Sequence, residues 1–333
     1  MGVINFPSPH RAAIRQGASK TMEIILHLGA HRTASTSFQH YLRRNAETLA
    51  KSGIGVWGPL RTRDGLLTGV VPASGSLRAP AQQLARATGR VSIALTKAEQ
   101  TGIAQLVVSD ENMLGAPRRN LRHSALYDDA GQRMARFAQA FGRRVTRVVL
   151  SIRAQDSYWG SALAFAVARG HRVPRRDDLD RLVTSPRHWR DVIADVACAC
   201  PGADIHVLPY EVFGGQPERK LQAITGQAKM PRKHARAWLN RAPTIESLRA
   251  IVAERGGHSA RLGEGEGRWQ PFDAAQTAAL RESYADDLFW LRAGADGLAT
   301  LIEETEPGEA GTQPPLGQTT RGHSNDDEER RMA

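Results

Sequence analysis

Cysteine is almost missing from this 333-residue chain: only Cys198 and Cys200 occur, two positions apart. That excludes a disulfide scaffold and a four-ligand cysteine zinc site, and it suits a reducing compartment. Aromatics make up only 6%. Lysine is rare beside arginine, so the net charge of +11 is nearly all guanidinium. An arginine excess this uniform follows from overall composition as readily as from nucleic-acid binding. No RNP string, zinc finger or basic helix with heptads sharpens the nucleic-acid reading. The charge asks for an anionic partner without choosing among nucleic acid, membrane, nucleotide and sulfated sugar. No apolar run approaches the roughly 18 residues of a membrane span. The opening MGVINFPSPHRAAIRQGASK has no apolar h-region and no cleavage site. Phe6 stands where a myristoylation signal needs Ser or Thr. The expectation is a soluble, cytoplasmic protein that starts at Met1 or, because it directly precedes the first apolar run, at Met22.

Hydrophobic residues amount to 41%, enough for a sizeable core. Short apolar runs of buried-strand type occur at 23–28 (EIILHL), 54–57, 105–109 (QLVVS), 145–152 (VTRVVLSI) and 204–208 (DIHVL). Helical spacing fills 35–51, 131–141, 156–169, 189–198, 216–226, 233–255 and 273–303, with Ser35 able to cap the first of these. Residues 60–90 read as loops. Alternating strands and helices predict an α/β fold, a three-layer α/β/α arrangement on a mainly parallel sheet. Three segments are expected: a flexible extension over 1–21, one domain over 22–303, and a disordered tail over 304–333 rich in Glu, Pro, Gly, Thr and Ser.

Ligands in such folds bind beyond the carboxyl ends of the strands, which singles out the loops after Leu28, Ser109, Ile152 and Leu208. The first reads Gly-Ala-His-Arg-Thr-Ala-Ser-Thr over 29–36. Against the nucleotide-binding pattern G-x-x-x-x-G-K-[ST], Gly29 and Thr36 fit, Ala34 replaces the second glycine and Ser35 replaces the lysine. The cation comes three positions earlier, at Arg32. Backbone N–H groups at a helix start can cradle an anion, and Thr33, Ser35, Thr36 and Ser37 add hydroxyls.

HLGAHRTASTSFQ resembles the 5′-phosphosulfate loop of bacterial sulfotransferases, His-(Ile/Leu)-Gly-x-His-Lys-Thr-Gly-Thr-Thr-Ser-x-Gln. His27, Leu28, Gly29, His31, Thr33, Thr36, Ser37 and Gln39 match, while Arg32 and Ala34 stand at the family's lysine and glycine. VVLSIRAQDSYWGSAL resembles its 3′-phosphate motif: Arg153 ends a strand and Ser161 follows eight residues on, with Gln155 where a proline is usual. Ser109-Asp110-Glu111 and Tyr210-Glu211 are similar to two further elements of the family.

The resemblance implies a P-loop-like fold and transfer of a sulfuryl group from 3′-phosphoadenosine-5′-phosphosulfate (PAPS) to a hydroxyl or amine of a small-molecule, lipid or saccharide acceptor. Arg32 would act on the bridging oxygen. Residues 32–37 would hold the 5′-phosphosulfate, and Arg153 and Ser161 the 3′-phosphate. Glu111 would be the base, with His31 and His27 as rivals, and no metal is demanded. Glu111 is equally readable as a cap or as an arginine partner, and His27 as a packed core residue. Rival readings are a PAPS-binding protein with weak or no catalysis, arising from Arg32 and Ala34, an unusual P-loop kinase, and a nucleic-acid binder. Gly53-x-Gly55-x-x-Gly58 spells a dinucleotide fingerprint but precedes a strand instead of following one. Cys198 and Cys200 read as inert thiols. The acceptor is expected on loops at 60–100, 112–128, 170–190 and 256–272.

Overall fold

The computed structural model describes residues 21–72 and 75–303. Strands form where unbroken apolar runs leave neither face for water. They are β1 (Glu23–His27), β2 (Ile54–Trp57), β3 (Gln105–Ser109), β4 (Val145–Ile152), β5 (Asp204–Pro209) and β6 (Thr300–Leu301). All pair in parallel, in the order β2-β3-β1-β4-β5-β6. The main helices are α1 (Ser35–Arg44), α2 (Ala46–Lys51), α3 (Pro80–Gln100), α4 (Pro117–His123), α5 (Ala130–Ala140), α6 (Gln155–Ala168), α7 (Arg176–Val183), α8 (Trp189–Ala199), α9 (Pro217–Thr225), α10 (Ile245–Glu254) and α11 (Ala274–Arg292).

Successive strand residues point to opposite faces, and both faces are apolar. Ile24 and Leu26 join Leu106, Val148 and Leu150 in one core, closed by Val91 of α3, Met134 of α5, Trp159 of α6 and Leu280 of α11. Ile25 joins Val107 and Val149 in the other, closed by Phe38 and Tyr41 of α1, Leu49 of α2 and Leu221 of α9. The result is the expected three-layer α/β/α, P-loop-like architecture. Among the described residues no helix is long and apolar enough to cross a membrane. The expectations for residues 1–20 and 304–333 lie outside the described residues.

Several elements differ from the sequence expectation. Within the stretch read as loops, Pro80–Gln100 is a helix, whose Leu84, Ala87, Val91, Ala94 and Leu95 form a buried stripe at helical spacing. Within 170–190, Arg176–Val183 is helical, opened by a capping box on Asp178. The helix expected over 35–51 breaks at Asn45, whose side chain donates to the Tyr41 and Lys233 carbonyls. The helix expected over 233–255 covers only Ile245–Glu254, with Thr244 as its cap. The helix expected over 273–303 ends at Arg292, and the chain then adds Thr300–Leu301 to the sheet edge beside β5.

The chain leaves β1 toward β2 and β3 on one side, and continues from β4 to β5 and β6 on the other. Neighbouring β1 and β4 therefore send their connections in opposite directions, which opens a crevice at their carboxyl ends. The loop after β1 and Arg153 after β4 both fall there.

Candidate anion-binding site

The loop after β1 is fixed by β4. Leu28 and Ala30 donate their N–H groups to the Val149 and Ser151 carbonyls, both at 2.9 Å. Gly29 turns the chain at φ +44°, where a Cβ would lie 3.2 Å from Cε1 of His27. Arg32 (φ 66°) and Ala34 (φ 60°) follow in the left-handed region, which glycine favours. Ala34 is the residue before α1, so Ser35 is the first helical residue and not the cap expected from the sequence. The α1 N-terminus, with its free N–H groups and positive dipole end, opens into the crevice.

The hydroxyls divide. Thr33 is buried and donates inward to the Ala30 carbonyl at 2.6 Å, so it braces the turn instead of offering a donor outward. Ser37 accepts from the Leu239 N–H at 2.8 Å, and Thr36 accepts from Asn240 Nδ2 at 3.4 Å. Segment 239–240 thus closes one flank of the helix start. Ser35 makes no side-chain hydrogen bond among the described residues.

Arg153, Ser161 and Arg32 come together at this loop. The Arg153 guanidinium, only 3% exposed, donates from Nη1 to the Arg32 carbonyl at 2.7 Å and lies over the Tyr210 ring at 4.3 Å. Its Nε and Nη2 have no partner among the described residues. Arg32 donates from Nε to Ser161 Oγ at 3.0 Å and stacks on Phe165 at 4.8 Å. Among the described residues neither guanidinium pairs with a carboxylate. Burial, with Arg153 and Arg169 nearby, pulls the Arg32 pKa down to about 10. Burial also lowers that of Arg153. A buried cation with two unspent donors, Arg153, next to the half-buried Arg32 and a helix N-terminus is unfavourable unless an anion is supplied.

Tyr210-Glu211 braces this arrangement from β5. Glu211 accepts from the Ala154 N–H at 2.9 Å and from the Tyr284 hydroxyl at 2.8 Å, holding the strand end that carries Arg153. Trp189 donates from Nε1 to the Arg153 carbonyl at 2.8 Å.

Glu111 and His31 occupy the opposite flank, after β3. Glu111 accepts from Gln39 Nε2 at 2.6 Å and from Arg63 at 3.0 Å, so the arginine pairing anticipated as its alternative role is present. Burial would raise its pKa, but His31, Arg63 and Gln39 together hold it below the usual carboxylate range. His31 contacts the Tyr127 hydroxyl through Nδ1 at 3.0 Å and Asn112 through Nε2 at 3.1 Å. Burial lowers its pKa, outweighing the raising effect of Glu111 and Asn112. His27 lies beneath the loop. Its Nδ1 meets Ser109 Oγ at 2.8 Å, but Nε2 has no partner, so the packed residue expected there is only half satisfied.

No family model, curated protein or solved structure was found that matches this chain.

The site therefore rests on its own geometry. Sequence reasoning missed three of its members. Arg63 and Thr62, from the stretch read as loops, bind Asp110 at 2.7 and 2.5 Å and so fix the strand end that carries Glu111. Lys220 of α9 lies under the loop, 3.4 Å from the Thr33 carbonyl and 3.3 Å from Ser151 Oγ. No local signal marks any of them, because each acts across a long sequence separation. Among the described residues no group of three or more His, Cys, Asp or Glu is placed to hold a metal. Cys198 is exposed and Cys200 buried, both as free thiols.

Proposed function

We propose that this protein is a PAPS-dependent sulfotransferase acting on a hydroxyl or amine of a small-molecule, lipid or saccharide acceptor. The observation that carries the reading is Arg153. It is a buried guanidinium that, among the described residues, has no carboxylate and two unspent donors, beside both Arg32 and the α1 N-terminus. PAPS carries anionic groups at two ends of its ribose, and this crevice offers donors at two places. Backbone N–H groups at 33–36 would hold the 5′-phosphosulfate, while Arg153 and Ser161 would hold the 3′-phosphate. In transfer, the acceptor oxygen or nitrogen bonds to sulfur as the bond from sulfur to the bridging oxygen breaks. That oxygen keeps the electron pair on the leaving phosphate. Arg32 would face this developing charge. Glu111, ionised at neutral pH, would take the acceptor proton, although a base of low pKa takes it with modest efficiency.

Calorimetric titration with 3′-phosphoadenosine 5′-phosphate (PAP) tests the binding half. The expected outcome is binding that weakens by about 100-fold in Arg153→Met, consistent with loss of one charge-assisted contact of up to roughly 3 kcal/mol. Equal binding by Arg153→Met, or displacement of PAP by micromolar ATP with magnesium, would sink the assignment. The latter outcome points to the kinase reading.

One observation favours a second reading, a PAPS-binding protein with weak or no transfer. Arg32 is drawn to Ser161 and Phe165, on the side assigned to the 3′-phosphate. Its planar fork differs from a lysine ammonium in how it delivers charge. Under that reading a broad acceptor screen shows PAP binding without transfer, and Arg32→Lys gains activity.

A further inference from the structure

Lys220 is fully buried and sits on the α9 side of the sheet. Nothing in the proposed reaction uses it. Its ammonium carries three donors but, among the described residues, has two distant acceptors, the Thr33 carbonyl at 3.4 Å and Ser151 Oγ at 3.3 Å. The Phe38 ring faces it at 5.5 Å. The titratable group facing it is His27 of β1, whose own pKa is pushed well down by burial and then by Lys220. Ser151 faces it from β4, Phe38 from α1 and the loop itself through Thr33. Among the described residues no carboxylate is bonded to its ammonium. A buried cation under-served by its partners is costly unless another charge repays it. The loop directly above it carries Arg32 and leads into the α1 N-terminus, and Arg153, from the end of β4, donates to that loop's Arg32 carbonyl.

We infer that Lys220 is a positioning residue of the anion site: from beneath the loop it anchors the Thr33 carbonyl and supplies the positive charge that a lysine at position 35 would supply from within it. The substrate class it serves is a multiply charged phosphate or sulfate ester. This inference rests on the anion-site reading above but does not require the anion to be PAPS.

The position has a consequence for pH. Burial draws the Lys220 pKa down to about 8. A bound anion favours the charged ammonium and raises that value. Affinity is then greatest below pH 8 and falls as pH rises through it. Phosphate esters finish ionising near pH 6, and Arg32 keeps its charge up to about pH 9. Lys220 is therefore the group of this site that titrates between pH 7 and 9.

The experiment is calorimetric titration of the full chain with PAP at pH 7 and pH 9, in wild type, Lys220→Met and Lys220→Arg. In parallel, the melting temperature is followed against inorganic sulfate at both pH values. A one-unit coupling corresponds to about tenfold. Wild type is expected to bind PAP about fivefold more weakly at pH 9 than at pH 7, because the ammonium of the complex is still partly charged at pH 9. Lys220→Met is expected to bind weakly at both, without pH dependence. Lys220→Arg, permanently charged, is expected to bind equally at both. A flat wild-type profile overturns the inference, as does a Lys220→Met variant that retains the wild-type profile. A merely structural lysine would lower the melting temperature of Lys220→Met but leave the wild-type profile flat. Should Lys220→Met fail to fold, the wild-type profile decides. If PAP does not bind but sulfate stabilises wild type at pH 7 and not at pH 9, the inference stands and the PAPS reading falls. If neither anion binds, both fall.

Discussion

Ala34 holds a conformation suited to another residue. At φ 60° its Cβ crowds the following carbonyl, which costs roughly 1–2 kcal/mol for a residue with a side chain. Glycine escapes that strain but loses more freedom on folding. We expect Ala34→Gly to raise the urea midpoint by an amount worth about 0.5–1 kcal/mol. A lowered midpoint would show that the methyl group packs well enough to offset the backbone. Glu111 gives a residue-scale prediction in pH. Its folded pKa lies below its ordinary 4.5, so its ionised form favours the fold above that value and the benefit disappears as pH falls through the folded pKa. Denaturation measured from about pH 6 down to pH 3 should show a shallower loss for Glu111→Gln than for wild type. Parallel curves would mean that Arg63 and Gln39 do not stabilise the carboxylate.

At the level of elements, Asp287 of α11 fixes the start of α8. Its carboxylate, fully buried, accepts from the Trp189 N–H at 2.9 Å, the Arg190 N–H at 3.3 Å and Arg190 Nε at 2.9 Å. Truncation leaves helix-start donors unpaired, so Asp287→Ala should cost about 2–3 kcal/mol in thermal unfolding. A loss below 0.5 kcal/mol, roughly the size of a surface change, would show that water replaces the cap. The same α8 carries Trp189 against the Arg153 carbonyl, so a loosened helix start should also weaken anion binding. Elements differed in how plainly the sequence announced them. Strands β1, β3 and β4 were legible because burial on both faces leaves continuous apolar runs. Helix α3 was not: Gly89 and scattered Arg and Gln dilute a stripe that only its packing on Met134 and Val108 reveals. The loop after β1 and Arg153 were legible because each lies on one short stretch of chain. Lys220 was not, since one lysine on an amphipathic helix reads as solvated surface. Its burial follows from α9 lying over β4, a fact of topology. Thr62 and Arg63 were hidden likewise, their partner Asp110 being nearly fifty residues away.

Across the whole molecule, the net charge of +11 is unevenly spent. Many arginines form surface pairs such as Arg172 with Asp178 and Arg292 with Glu303, worth little individually. Arg153 is buried and Arg32 half-buried, and among the described residues neither has a carboxylate partner. Binding an anion there should therefore stabilise the entire fold by mass action. PAP at a hundred times its dissociation constant contributes about 2.7 kcal/mol, expected to raise the melting temperature by roughly 5 °C. No shift at that concentration would mean that the ligand binds equally to the unfolded chain, or not at all.

The position of β1 has a temporal consequence. Among the described strands it is the first in chain order, yet it is flanked on both sides in the finished sheet. Glu23 must wait for Gln105, 82 positions later, and Ile24 for Thr146, 122 positions later. Until then EIILH has both edges unpaired, a sticky ribbon open to the wrong neighbours. Such distant pairing makes for slow acquisition of structure, so the growing polypeptide keeps this ribbon exposed until residues 105 and 146 have been made.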